Sequence, residues 1–380
     1  MFALRRETVK PSRAGLTSSR HQNCTRITEA ALRPVRQEGT ERSPGDRSVK
    51  FNELSIRGLQ TGKASMVDLD DVRKAAERIR GHVRRTPLVK VDQLHSAWLD
   101  IELWLKLECF QVTGSFKARG AMNRLLAAPQ ALIERGIVTA SGGNHGVAVA
   151  RAGHIAGVPT TVFLPDNASP LKLAKISSWG AERRIVGRVW DEADSAARGF
   201  AAERRAAYFH PFADPDIVAG QGTLALEILN DLPDFDHYLI AIGGGGLIAG
   251  MAKTIRSMQP NARIIGIEPT GSPTIKASLE AGEVVSLAAV TTRVPTMACG
   301  RTDPRIFELV RQSVDDVVLV EDEEMLEAAR WLWLEFGLAA DLSGAAACAA
   351  LRSGRVSLPT GARVCGLVCG AGTDGLGLPN

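Results

Sequence analysis

After residue 65, apolar and polar positions fall into two alternating patterns. Short runs rich in Val, Ile and Leu read as buried strands: Ile101–Leu107, Gly136–Ala140, Thr160–Leu164, Arg183–Val186, Tyr238–Ile242, Arg263–Ile267, Asp316–Val320 and Arg363–Val368. Between them lie longer stretches of helical period: Gly146–Ala156, Ser169–Trp179, Asp191–Ala207, Gly222–Leu229, Leu247–Met258 and Glu323–Phe336. An amphipathic stretch, Val67 to Val83, precedes them all. Strands alternating with helices predict βαβ units around parallel sheets, an α/β fold. Ligands of such sheets bind beyond the carboxyl ends of the strands, so the loops after these runs are where chemistry is expected.

Residues 1–65 lack this patterning. They are rich in Ser, Thr, Gln and Arg, have no Trp or Tyr, and carry thirteen basic against six acidic residues, which predicts a basic, disordered tail. The six acids argue against a nucleic-acid arm or an organelle-targeting segment, and Met66 is an alternative translation start. The tail accounts for the chain's surplus of 46 basic over 42 acidic residues. At 380 residues and 45% hydrophobic content, the chain can build a sizeable core without disulfides or metals. Its six cysteines form no CxxC pair and no zinc-type spacing with His. No signal layout opens the chain and no apolar run reaches the ~18–20 residues of a membrane helix. A cytoplasmic protein with neither nucleic-acid nor membrane partner is expected.

Three runs end in glycine-rich turns. Tyr238–Ile242 leads into Gly243, Gly244, Gly245 and Gly246 and then a helix, and a row of unobstructed N–H groups at a helix start suits phosphate. Gly244, Gly246 and Ala249 also fit the loose dinucleotide pattern, with Glu268 where a ribose-binding acid would stand. Taken alone, the loop suits a nicotinamide cofactor nearly as well as a monophosphate. Gly136–Ala140 leads into Ser141-Gly142-Gly143-Asn144-His145-Gly146, which suits a carboxylate or another anionic oxygen; a plain N-cap accounts for Ser141 by itself. The last run leads into Cys369-Gly370-Ala371-Gly372-Thr373, where a lone Cys reads as a small buried hydrophobe.

Ahead of a further helix stands Gln111-Val112-Thr113-Gly114-Ser115-Phe116-Lys117-Ala118-Arg119-Gly120-Ala121. Lys117 sits between Phe116 and small residues, and burial there would lower its pKa and free its amine as a nucleophile toward carbonyls. Five segments occur together and in order: Arg85-Thr86-Pro87-Leu88, Thr113 to Lys117, Ser141 to His145, Ala219-Gly220-Gln221-Gly222-Thr223, and the tetraglycine loop. In this combination the chain, from about residue 67 to 376, resembles the serine/threonine dehydratase (threonine ammonia-lyase) and serine racemase family. These are pyridoxal-phosphate enzymes of fold type II, similar to the tryptophan synthase β chain, and the resemblance overrides the dinucleotide reading.

The resemblance implies a two-domain fold of parallel sheets flanked by helices. A large cofactor-binding domain would comprise residues 66–135 and 214–380, a small α/β domain residues 136–213, with the tail at 1–65. It implies that Lys117 holds pyridoxal 5'-phosphate as a Schiff base, with Phe116 beside the ring. Asn144 would bond the ring hydroxyl oxygen, Gly243, Gly244, Gly245 and Gly246 would hold the phosphate, and Cys369 would face the pyridine nitrogen. Ser141, Gly142, Asn144 and His145 would receive the substrate carboxylate. Relatives are often dimers, so a homodimer is implied as well.

Departures from the family pattern narrow the reading. A neutral thiol at Cys369 does not force the ring nitrogen to stay protonated, which favours prompt loss of a β leaving group over a long-lived carbanion. Gly142 stands where racemases carry a second Ser, and it has no proton to give, so racemisation is disfavoured. Metal-activated relatives pair a Glu with an Asp six residues later. Here Glu268 is kept but Thr274 takes the second place, so no metal is expected, and a structural salt bridge is the other reading of Glu268. The chain stops soon after the Cys369 loop, so the C-terminal regulatory domain of the biosynthetic threonine deaminases, and feedback inhibition with it, is not expected. His145 and His210 read as structural, Arg119 and Arg151 as solvated helix-face residues. The expected reaction is β-elimination from L-threonine or L-serine to a 2-oxo acid and ammonia, with Lys117 as base at Cα. A serine racemase, a 3-hydroxyaspartate ammonia-lyase and a β-replacement synthase are the alternatives.

Overall fold

The computed structural model describes residues 65–95, 100–166 and 168–376; the predicted tail, Ser65 apart, lies outside the described residues. The strands are β1 (Leu88–Lys90), β2 (Glu102–Leu107), β3 (Ile137–Ala140), β4 (Thr160–Leu164), β5 (Glu182–Ile185), β6 (Ala207–Tyr208), β7 (His237–Ala241), β8 (Arg263–Pro269), β9 (Asp316–Val320) and β10 (Arg363–Val368). They form a six-stranded sheet, order β1-β2-β10-β7-β8-β9, and a four-stranded sheet, order β5-β4-β3-β6. All neighbours are parallel except β1, which runs antiparallel to β2 at the edge. The α/β class is the one the sequence predicts, and all eight predicted runs are strands. β1 and β6, at three and two residues, are too short to register as patterns.

Every position of β3, β4 and β7 is buried, as strands covered by helices on both faces require. The exposed edge strand β5 instead reads Glu-Arg-Arg-Ile, and its charges discourage pairing with another chain. The amphipathic stretch forms the helix Leu69–Ile79, which buries Val72, Ala75 and Ile79. Its start is held by reciprocal bonds between Asp68 and Asp71.

One helix starts well before the sequence places it. The stretch predicted from Gly222 is the second half of Pro215–Asp231, which Asp214 caps through the N–H groups of Asp216 and Ile217. Gly220 and Gly222 serve close helix contact there. A Cβ on Gly220 would stand 2.6 Å from Gly120 Cα, and one on Gly222 2.9 Å from Gly250 O. This helix therefore wedges tightly between Lys117–Ala127 and Gly246–Met258, fixing the helix that Lys117 opens relative to the one that the tetraglycine loop opens.

Parallel strands deliver their carboxyl ends to one edge. The loops after β2, β10 and β7, neighbours in the large sheet, carry residues 108–116, 369–373 and 243–246. The loop after β3, in the second sheet, carries Ser141 to His145. Among the described residues no helix is long and apolar enough to cross a membrane.

Candidate active site

Lys117 opens its helix directly after a strained loop. Thr113 has φ 66° and Gly114 φ 82°, a left-handed conformation that costs a non-glycine residue about 1–3 kcal/mol. The loop is held from outside: Gly114 O accepts the Ala371 N–H at 2.7 Å, and Phe116 N–H donates to Cys369 O at 3.2 Å. Lys117 Nζ donates to Pro211 O at 2.7 Å and lies 5.0 Å from the centroid of the Phe116 ring. Burial pushes its pKa from 10.5 down to about 8, because one carbonyl and a ring face replace little of the lost hydration.

The tetraglycine loop leaves no space for side chains. A Cβ on Gly243 would stand 2.8 Å from Thr296 O and one on Gly246 2.7 Å from Phe212 O, while one on Gly244 would collide with the Phe212 ring. Gly245, with φ 90°, precedes the helix Gly246–Met258, whose start no side chain caps. Its first N–H groups are thus available to a ligand. Phe212 is fixed by a turn in which His210 Nδ1 accepts the N–H groups of Phe212 and Ala213 at 3.1 and 2.8 Å. Burial holds His210 down at about 4, so its acceptor nitrogen stays unprotonated near neutrality.

In the loop after β3, Ser141 Oγ accepts the Gly143 N–H at 3.3 Å. A Cβ on Gly142 would stand 2.8 Å from Ala168 Cβ. The buried Asn144 amide donates to Asp341 Oδ2 at 2.8 Å and accepts from Lys172 Nζ. His145 Nε2 pairs with Phe209 O at 3.2 Å, and burial pushes its pKa well below 6.5. Thr296 joins the two glycine loops, since its Cγ2 lies 3.3 Å from where a Gly143 Cβ would be. Cys369 Sγ contacts Ser343 O at 3.3 Å, and burial raises its pKa so that the thiol stays protonated.

The sequence model of the family described as "Pyridoxal-phosphate dependent enzyme" matches residues 79–370. The chain belongs to this family. It is 41% identical over 294 residues to the L-threonine ammonia-lyase of Geobacter sulfurreducens, covering 77% of this chain and 73% of that one. To the L-threonine ammonia-lyase of Thermotoga maritima it is 37% identical over 286 residues, 75% and 71% of the two chains. Among solved structures, maize serine racemase superposes with a TM-score of 0.77 at 30% identity, covering 80% of this chain and 94% of that one. The processed form of threonine deaminase isoform 2 from Solanum lycopersicum gives 0.73 at 29% identity, covering 80% and 90%.

The residues present fit the cofactor of this pyridoxal-phosphate family. A half-buried amine of lowered pKa suits its aldehyde, and an uncapped helix start lined by four glycines suits its phosphate. Thr113 Oγ1, Ser115 Oγ and His145 Nδ1 are buried without a partner among the described residues, next to these groups in sequence. Lys117, Phe116, the Ser141 loop, Asn144, the tetraglycine loop and Cys369 are linked by the contacts above.

Glu268 makes its hydrogen bonds elsewhere. Its carboxylate accepts the N–H groups of Ile275 and Lys276 at 2.8 and 2.9 Å, at the start of the helix Thr274–Ala281, and burial raises its pKa to about 7. It is a helix cap, which replaces the expected salt bridge. Thr274 turns its hydroxyl to Cys299 O, and among the described residues no group of three or more His, Cys, Asp or Glu is arranged to hold a metal.

Arg119 corrects another expectation. It is not solvated but 1% exposed, bonded to Glu108 at 2.7 and 2.8 Å and to Glu227 at 2.7 and 2.9 Å. Its helix faces the interior on a side where only a paired charge is tolerated. Arg151 is half-buried and donates to His82 O at 2.7 Å. Pro211, Phe212, Lys172 and Asp341 were not foreseen at the site. Only Asp341 carried a signal, as an N-cap residue ahead of Ser343-Gly344 and an apolar helix.

Proposed function

We propose that this protein is a pyridoxal-phosphate-dependent ammonia-lyase acting on L-threonine and L-serine. The observation that carries the proposal is the Lys117 amine: half-buried, held at a pKa of about 8, and, among the described residues, bonded to Pro211 O. Such an amine is a ready nucleophile toward an aldehyde and a base of suitable strength near neutrality. The similarity to two L-threonine ammonia-lyases at 41% and 37% identity supports the same reading.

The cofactor, when bound, supplies the electron sink that makes the Cα proton of an amino acid removable. Gly243, Gly244, Gly245 and Gly246 would hold its phosphate by N–H groups, Phe116 would lie beside the ring, Asn144 would donate to the ring oxygen, and Cys369 would offer the ring nitrogen a neutral thiol. Ser141 and the N–H groups from Gly142 to His145 receive the substrate carboxylate. Lys117 Nζ would take the Cα proton, the β-hydroxyl would leave with a proton as water, and the enamine product would take up water to give a 2-oxo acid and ammonia.

Serine racemase is the second reading, favoured by the fold likeness to the maize enzyme. Gly142 counts against it: the position offers no proton, and Ala168 fills the space a side chain would need. The reading further comprises the division into a large and a small domain, assembly as a homodimer, and work in the cytosol without nucleic acid or membrane. Incubating the holoenzyme with L-threonine, L-serine, D-serine and 3-hydroxyaspartate tests it. We expect 2-oxobutanoate and pyruvate from the two L-substrates. D-serine accumulating from L-serine without a 2-oxo acid would overturn the proposal in favour of a racemase.

A further inference from the structure

The Asn144 side chain has one amide, and two charged groups from different parts of the fold claim its two ends. Lys172, on the helix Pro170–Ser178, donates its ammonium to Asn144 Oδ1 and reaches Ala371 O at 3.4 Å. Asp341, at the head of the helix Leu342–Arg352, accepts from Asn144 Nδ2 at 2.8 Å. The other Asp341 oxygen is occupied by Ser343 Oγ and Gly344 N–H, both at 2.7 Å, so the carboxylate is itself aimed from behind. Asn144 and Asp341 are 5% and 6% exposed, which leaves little water to compete for these bonds.

An asparagine amide turned by half a revolution exchanges an acceptor for a donor. Here that turn would set an NH2 group against the Lys172 ammonium and a carbonyl against the Asp341 carboxylate. Two charge-assisted hydrogen bonds would be lost and two repulsive contacts made. Only one orientation is therefore stable. In it, Asp341 uses one of the two Nδ2 hydrogens and the second remains for a bound acceptor. Gly370 makes the arrangement possible, since a Cβ there would stand 2.6 Å from Asp341 Oδ2 and 2.9 Å from Asn144 Nδ2.

We infer that Lys172 and Asp341 are a positioning pair that locks the Asn144 amide in one orientation, reserving an N–H for an anionic oxygen of the bound cofactor. The inference rests on the ammonia-lyase reading for the identity of that cofactor. It adds two charged residues that act through Asn144.

Titration of the cofactor-stripped protein with pyridoxal 5'-phosphate tests it, read as a dissociation constant and as the visible absorption maximum of the bound form. Lys172→Met is expected to weaken binding on the order of tenfold, the worth of one charge-assisted hydrogen bond, and to displace the absorption maximum; Lys172→Arg restores both. In an Asn144→Ala background, Lys172→Met changes neither reading, because the two residues act as one unit. Thermal unfolding of the cofactor-free variants identifies any that fail to fold. If Lys172→Met is one of them, Asp341→Asn is read in the same way. Unchanged affinity and spectrum in Lys172→Met would overturn the inference, and so would a weakening that persists undiminished without Asn144. A wild type that takes up no cofactor overturns the ammonia-lyase reading itself.

Discussion

Replacing Lys117 by Met should stabilise the cofactor-free protein while abolishing turnover. The Lys117 pKa falls from 10.5 to about 8, and at about 1.4 kcal/mol per tenfold change in proton affinity its charged form costs the fold about 3 kcal/mol at pH 7. Lys117 keeps part of its surface, so solvent relieves some of this cost. The bond to Pro211 O, worth about 1 kcal/mol net, disappears with the amine. Met matches the length of the stem and adds no charge, which leaves an expected gain of about 1–2 kcal/mol at pH 7. The gain has a pH signature. Below pH 8 the unfolded chain and the folded protein both carry the proton and the cost is complete. As pH rises from 8 toward 10.5 the folded protein releases it first, wild-type stability climbs, and the advantage of the variant fades. Urea unfolding of both cofactor-free proteins between pH 7 and pH 10 measures this difference. A variant less stable than wild type at pH 7, or a gain that stays flat with pH, would refute the reasoning.

The same contacts predict three further outcomes. Gly244→Ala forces a methyl into the Phe212 ring, so it should cost about 1–3 kcal/mol of stability and weaken cofactor uptake, measured by unfolding and by titration with pyridoxal 5'-phosphate. Glu268, raised from 4.5 to about 7, favours its protonated form in the fold; relative to Glu268→Gln, wild-type stability is highest below pH 4.5 and falls by up to about 3 kcal/mol as pH rises through 7. Unfolding of both proteins from pH 4 to pH 8 checks this. Arg119→Met leaves Glu108 buried without its partner and should cost about 3–5 kcal/mol in urea unfolding.

What the residues disclosed by themselves follows physical lines. Buried parallel strands are near-continuous apolar runs, so all eight predicted runs were legible, whereas β1 and β6 are two or three residues long and depend on their neighbours. The helix Pro215–Asp231 is legible only from Gly222 onward, because glycine weakens the helical signal, and only the third dimension shows Gly220 packed against Gly120. The candidate site was legible where it consists of backbone cradles and one lysine, each with a local motif. Arg119 looked solvated because its partners Glu108 and Glu227 are distant in the chain or in a different element. Lys172, Phe212 and Asp341 meet Asn144 or the tetraglycine loop from loops and helices up to 197 residues away, a juxtaposition that no periodicity encodes.

The central claim is that the Lys117 amine carries the cofactor. Borohydride reduction of the holoenzyme followed by peptide mapping tests it most directly. The account predicts one stoichiometric pyridoxyl modification, on the peptide containing Phe116, Lys117 and Ala118, and none in Lys117→Met. Modification at Lys172 or Lys175 with Lys117 unlabelled, or stoichiometric labelling that survives in Lys117→Met, would contradict it.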